Sequence, residues 1–169
     1  MMSRAVSLLI FLSFVGAAYA QHQGADLPNA LNEDESQQIL REHKPKSHVE
    51  ATFKISDARL TTALNLARDS QYRESAQNLD LYVGLVTYAD SYARRNTQQG
   101  SKDRGSILKV IEQRIFRQMQ ALDTVVRELP YDYREQGDKA LKDVKLIRTR
   151  ALDEHLGGGG FLKSASTTP

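Results

Sequence analysis

The four histidines are the side chains best suited to acid–base or metal chemistry near neutral pH. They are His22, His43, His48 and His155. No two of them stand four residues apart, the spacing that places two imidazoles on one helical face, and none is the histidine of a Glu-x-x-His motif. The sequence therefore predicts no metal site and no cofactor. His155 is expected in the last turn of the last helix, where a positive charge is favourable.

Motifs for covalent catalysis and phosphate binding do not point to a site either. The chain has no cysteine, no G-x-S-x-G nucleophile elbow and no G-x-x-x-x-G-K phosphate loop. Its four-glycine run, residues 157–160, follows a helix instead of preceding one. Ser47 and Ser70 are interpreted as helix caps. We therefore predict no catalytic residues, and a protein that is not an enzyme.

Asp80 is the only acid in the apolar segment formed by residues 79–89. It starts a stripe of small or polar residues spaced i, i+4, i+7 and i+11 along a helix. This stripe consists of Asp80, Gly84, Thr87 and Ser91. We expect the stripe to face water. In the alternative, Asp80 is half-buried and forms, with Tyr82 or Tyr88, the site of a small enzyme or ligand carrier in the bundle core.

Three tyrosines of the same segment, Tyr82, Tyr88 and Tyr92, offer a different kind of site. They are expected to pack in the core or at its edge, with their hydroxyls reaching water. The alternative is a partner-binding surface that also includes Gly84, because two apolar stripes on one helix exceed what its neighbours need for packing. A glycine in mid-helix costs about 1 kcal/mol relative to alanine, so its presence indicates the close approach of another helix or a partner.

Basic residues gather around the polar segment formed by residues 96–106. They are Arg94, Arg95, Lys102 and Arg104, and only Asp103 offsets them. A solvated loop is the expected structure. The alternative is contact with an anion or with an acidic lipid head group.

Four segments have apolar residues at helical spacing and must position these side chains. The first helix is predicted from the Ser47–Glu50 capping box to residue 69, and the second over residues 71–95. The third covers residues 106–129, and the last runs from a cap pair at Asp132 and Glu135 to residue 156. Residues 49–55 also alternate as in a strand, but nothing else in the chain could pair with them. The prediction is one all-α domain over residues 47–156, an antiparallel bundle of about four main helices.

The N-terminus has the three parts of a secretory signal: Arg4, an apolar run over residues 5–18, and small residues at Ala18 and Ala20. Cleavage is predicted after Ala20, which makes the protein secreted or periplasmic. A retained anchor is the alternative, although the apolar run is shorter than the roughly 20 residues that span a bilayer. Residues 21–46 are predicted to form a flexible leader with one short helix at most, over residues 31–42, that adds little to the core. Residues 157–169 are predicted as a flexible tail.

Composition excludes several classes of protein. The 169 residues include no cysteine, and the net charge is +2 with both signs interspersed. Disulfides and thiolate metal sites are therefore excluded, and a nucleic-acid partner is not expected. No segment after the signal is long and apolar enough to be predicted as a membrane span.

A short stretch of the chain resembles a known repeat. Its residues are Ala63, Leu64, Ala67, Tyr72 and Ala76, spread over two helices joined by a tight turn, and they resemble half of a tetratricopeptide hairpin. The tyrosine and the following alanine are one residue further apart than in that family, the turn glycine and closing proline are absent, and no second copy occurs. The resemblance implies a helical interaction module. No binding residues are assigned to this chain from it.

These patterns together predict an exported, non-enzymatic protein that binds or scaffolds another protein of the cell envelope. Two alternatives stay open. One is a small-ligand carrier or enzyme with a site in the bundle core, and the other is a peripheral protein held at a membrane surface by its basic loop. The sequence indicates neither the partner nor the oligomeric state.

Overall fold

The computed structural model describes residues 26–157, which are helical apart from short connections. The helices are α1 (Glu33–Leu40), α2 (Pro45–Arg68), α3 (Tyr72–Asn96), α4 (Lys102–Glu128) and α5 (Tyr131–His155). The all-α prediction is confirmed for the described residues, with five helices instead of four. The predicted signal peptide (residues 1–20), the start of the leader and the tail beyond residue 157 lie outside the described residues.

Helices α2 to α5 form two antiparallel hairpins, α2 with α3 and α4 with α5. In the first hairpin, the Ser75 hydroxyl near the start of α3 donates to the Ala63 carbonyl near the end of α2, over 2.8 Å. In the second, Arg148 of α5 binds Glu112 of α4 at 2.9 Å. The hairpins pack side by side, so α2 borders α4 and α3 borders α5, while α3 and α4 meet across the centre. Neighbours from different hairpins therefore run parallel, so the predicted antiparallel arrangement holds within each hairpin but not between them.

Residues 49–55 belong to α2, so the strand interpretation of this segment is wrong. Val49 and Phe53 are fully buried in the main core, and Ile55 is buried in a smaller apolar cluster beneath α1. The apolar residues alternate because α2 is covered on two adjacent sides, by the bundle and by α1. A helix buried on two sides can imitate the period of a strand over one or two turns.

Two serine caps predicted from the sequence are not formed. Helix α2 begins at Pro45, before Ser47, because proline has the backbone angle of a first helical residue. Ser70 has φ 59°, in the left-handed region, and lies in the tight turn that precedes α3 without capping that helix. The turn instead allows the Gln71 amide to donate to the Leu66 carbonyl over 2.8 Å.

The last two helices also begin earlier than predicted. The Ser101 side chain accepts from the Arg104 amide over 3.2 Å and starts α4 at Lys102, so two of the basic residues assigned to a loop are helical. Helix α5 begins at Tyr131, directly after Pro130, without a side-chain cap from Asp132. Pro130 thus both ends α4 and positions the start of α5.

Helix α1 corrects the prediction that residues 21–46 add little to the core. Its start is fixed by a capping box in which the side chains of Asn32 and Glu35 accept from each other's backbone amides. Ile39 is fully buried against Ile55, Leu85 and Tyr88. The segment is therefore part of the folded domain, and it covers the outer side of the α2–α3 hairpin.

Candidate functional site

Tyr82, one of the residues of the alternative partner-binding surface, lies in the protein interior. Its side chain is fully buried, and its hydroxyl donates to Oε1 of Gln118 over 3.1 Å. The Gln118 amide donates in turn to the Ser56 hydroxyl, over 3.0 Å, and to the Asp57 carboxylate. Burial raises the pKa of Tyr82 well above its usual value. This network joins α2, α3 and α4 and stabilises the bundle interior.

Tyr88 and Tyr92 enclose His48, which the sequence had left without a role. The ring of His48 stacks on Tyr92 with centroids 3.7 Å apart. Its Nδ1 donates to the Glu42 carbonyl over 2.9 Å, so Nε2 of the neutral ring accepts from the Tyr88 hydroxyl over 2.7 Å. Burial lowers the pKa of His48 and raises that of Tyr88. We call His48, Tyr88 and Tyr92 the His48 cluster; through the Glu42 carbonyl it connects the α1–α2 segment to α3.

Gly84 is covered by another part of the same chain. A Cβ atom at this position would lie 3.1 Å from Cγ of Pro28, so the close approach that the glycine indicated is made by the segment that precedes α1. With Tyr82 and Tyr88 also buried, the predicted partner surface is occupied within the protein. The expected core packing of Tyr82 and Tyr88 is observed, although their hydroxyls bond Gln118 and His48 instead of reaching water. Tyr92 is half-buried against His48.

Two of the four predicted anion contacts are engaged in an internal ion cluster. Arg94 binds Asp90 over 3.0 Å and also pairs with Glu154, and Arg104 pairs with the same glutamate. Burial alone would lower the pKa of Arg94, but its hydrogen bonds to Asp90 and Glu154 raise it. Arg104 also donates to the Arg94 carbonyl over 3.3 Å, which closes the α3–α4 connection. Lys102 and Arg95 are exposed.

Asp90 is a buried acid that the sequence analysis missed. It is only 4% exposed and accepts from Arg94, while Arg150 of α5 lies 3.6 Å away. The signal was present, since an acid followed four residues later by an arginine is a common helical ion pair. Asp80, by contrast, is exposed and accepts from the Gln136 amide over 2.7 Å. Asp80 and Tyr82 therefore do not meet in a core site.

The most exposed apolar side chain within α4 is Phe116, at 61%. It belongs to a row of exposed side chains that we call the basic α4 face: Lys102, Ser106, Lys109, Gln113, Phe116, Arg117, Gln120 and Arg127. Within α4, all of which is described, the exposed positions between Asp103 and Glu128 carry no carboxylate. Arg148 of α5 lies over the Phe116 ring, 4.7 Å from its centroid, and adds a further cation.

The two acids at the edge of the basic α4 face are already paired. Glu112 binds Arg148 and Asp123 binds Arg127. This face was not predicted from the sequence, because the apolar stripe of α4 indicates only the side that forms the core. Phe116 falls outside that stripe, one residue after the buried Ile115. An aromatic residue among lysine, glutamine and arginine on the polar side of a helix was the available signal.

Other kinds of site find no support among residues 26–157. In that part of the chain no group of three or more histidines or acids is placed to hold a metal ion. None of the helices described there has the length and apolarity needed to cross a bilayer. A cleft of about 470 Å³ lies where α2 and α4 begin, with Lys44, Lys46 and Ser101 in its lining.

Comparison of the chain with protein families, with curated proteins and with solved structures gave no match.

Proposed function

We propose that this chain is an exported, non-enzymatic binding or scaffolding protein that contacts another protein through the basic α4 face. The observation that carries the proposal is Phe116, an aromatic side chain 61% exposed at the centre of a row of cationic and amide side chains. An isolated exposed apolar residue is ordinary, but aromatic residues and arginine together are enriched in binding hot spots.

The chemistry of the face supports a protein partner with carboxylates around an apolar pocket. Burying an aromatic side chain against a partner contributes roughly 1.5 to 3 kcal/mol. The exposed cations Lys109 and Arg117 would guide an acidic surface into place and disfavour a basic one. Arg148 already covers one side of the ring, which restricts the orientation of Phe116 before binding.

The site proposed here differs from the tyrosine surface of α3 that the sequence suggested as an alternative to core packing. The tyrosine surface of α3 is covered by Pro28 and by His48 of α2, so a partner could reach it only if both the N-terminal segment and the start of α2 moved away. The basic α4 face needs no such movement. It lies on the helix whose opposite side supplies Ile111 and Ile115 to the core, so it is held in place by that packing.

The proposal can be tested by affinity capture from an envelope extract, with the full chain carrying a C-terminal tag. The test variant is Phe116→Ser, and the matched control is Leu146→Ser, which removes an apolar side chain of similar exposure from α5. We expect a protein held by the unaltered chain and by the control to be lost from the Phe116 variant. Retention of the same proteins by all three chains would contradict the proposal.

Vesicles provide the second arm, because a cationic face with an aromatic residue could also meet anionic lipid. The same three chains are mixed with vesicles of neutral lipid and with vesicles that contain anionic lipid. No retention on either is expected at physiological salt. Retention on anionic vesicles that Phe116→Ser abolishes would overturn the assignment to a protein partner.

A further inference from the structure

The acidic counterpart of the basic α4 face is present in the chain itself. We propose that the face binds α1 of a second copy, so that the protein self-associates through an α1–α4 contact. This inference rests on the proposed function, because it uses the same face and names its partner. The α1 side of the contact is the acidic α1 face, which consists of Glu33, Gln37 and Leu40.

The two faces match in spacing and in chemistry. On α1, Glu33, Gln37 and Leu40 stand at i, i+4 and i+7, and on α4, Lys109, Gln113 and Phe116 stand at the same intervals. A parallel arrangement of the two helices would place acid against base, amide against amide, and leucine against phenylalanine. Both rows are about 10.5 Å long, since seven residues rise 1.5 Å each.

All three residues of the acidic α1 face are available for such a contact. Glu33 and Gln37 are exposed, and Leu40 is 53% exposed. The neighbouring side chains hold α1 in position: Ile39 is fully buried, and Glu35 pairs with Arg59 of α2. The face is therefore presented by a fixed helix, which reduces the entropic cost of binding.

Charge favours the first half of this pairing, whereas Arg41, the exposed C-cap of α1, would stand opposite Arg117 in the same register. The first turn of α1 holds Glu33, Asp34 and Glu35 and no base. The basic α4 face carries no exposed carboxylate between Asp103 and Glu128. Because each copy has both faces, the contact either closes twice about a two-fold axis or continues from copy to copy, and the mass at high concentration distinguishes a dimer from a larger assembly.

The test is sedimentation of the full chain over a wide concentration range, with variants of each face. Phe116→Ser and Leu40→Ser should each weaken self-association at least about tenfold, as expected for central apolar contacts. Glu33→Lys and Lys109→Glu should each weaken it about three- to tenfold. The chain that carries both charge changes should regain association to within about threefold of the unaltered protein, because the pair is restored with its signs exchanged.

Circular dichroism of every variant, and Leu146→Ser as an exposed apolar control, separate loss of contact from loss of fold. A chain that stays monomeric up to millimolar concentration would overturn the inference, and so would association that these variants leave unchanged. Failure here would leave the proposed function standing if Phe116→Ser still loses a different captured protein. If Phe116→Ser changed neither self-association nor capture, both the α1–α4 contact and the proposed function would be wrong.

Discussion

Single residues explain why the central part of α3 could be misread as a binding surface. Tyrosine and glycine are typical of interfaces, and both occur there, but their partners come from the same chain. Nε2 of His48 accepts a hydrogen bond from the Tyr88 hydroxyl, and Pro28 fills the space over Gly84. Neither contact follows from local sequence, because each joins residues 40 or more positions apart. The sequence could place these residues on a helix without showing what covers them.

His48 makes stability depend on pH. Its folded-state pKa is lowered by burial, so between that value and its ordinary pKa near 6.5 the unfolded chain binds more protons. The contribution of His48 to the free energy of unfolding should therefore be fully present above about pH 6.5. It should decrease as the pH falls below that value. The check is urea unfolding at pH 7.5 and 5.5 for the unaltered protein and for His48→Phe, which keeps the ring stacked on Tyr92.

The variant should be less stable at pH 7.5, by roughly 1 to 3 kcal/mol, because the Tyr88 hydroxyl loses its acceptor. It should also lose less stability than the unaltered protein between the two pH values. An equal pH dependence in both chains would show that His48 is not the titrating group.

Gln118 is the second residue with a measurable role, since it connects Tyr82, Ser56 and Asp57. Replacing Gln118 by leucine leaves the buried Tyr82 hydroxyl without its acceptor and should lower the free energy of unfolding by roughly 1 to 3 kcal/mol. The Ser56 hydroxyl keeps its bond to the Phe53 carbonyl, and Asp57 keeps its pairing with Arg114. Tyr82→Phe added to this variant should cost less than it does alone, because its partner is already gone. A double-mutant cycle by urea unfolding measures the coupling, and independent effects would argue against the network.

At the level of elements, the existence of four long helices followed from their apolar spacing, whereas their starts did not. Ser47, Ser70 and Asp132 are all good capping residues, yet proline and tight turns set the boundaries at these places. Helix α1 lies within the short helix predicted over residues 31–42, but its contribution to the core was not predicted. It is short and polar, and Ile39 is its only buried residue, so its stability comes from packing on α2 and α3 instead of from helical propensity.

The docking of α1 gives a prediction in which adjacent residues serve as test and control. Ile39→Ala removes a fully buried side chain and should lower the free energy of α1 detachment by about 2 to 5 kcal/mol. Leu40→Ala changes an exposed neighbour and should have little effect on the isolated monomer. Hydrogen exchange of the α1 amides at low protein concentration reports detachment directly. Similar exchange in the two variants would mean that Ile39 does not anchor the helix.

At the scale of the whole molecule, the sequence predicted the all-α class but not which faces remain open. That outcome depends on long-range contacts: Pro28 and His48 cover the central part of α3, whereas the polar side of α4 stays exposed. The candidate site therefore moved from the tyrosines of α3 to Phe116. The sequence shows Phe116 on the polar side of α4, but that its side chain stays uncovered follows only from the assembled fold.

Export is the prediction that belongs to the chain as a whole. If residues 1–20 are a secretory signal, the protein recovered from the medium or periplasm should begin at Gln21, and its mass should be lower by the mass of those residues. Intact-mass measurement of the protein recovered from its native cells decides this. A chain that still begins at Met1 and stays with the membrane fraction would indicate a retained anchor.

The most direct test of the central claim is photo-crosslinking in living cells from a benzophenone amino acid placed at position 116. The same group at position 146, on the exposed side of α5, serves as the control. We expect one defined protein adduct from position 116 that is absent from position 146, and residues of α1 within that adduct if the partner is a second copy. No adduct from position 116, or the same adducts from both positions, would contradict binding through the basic α4 face.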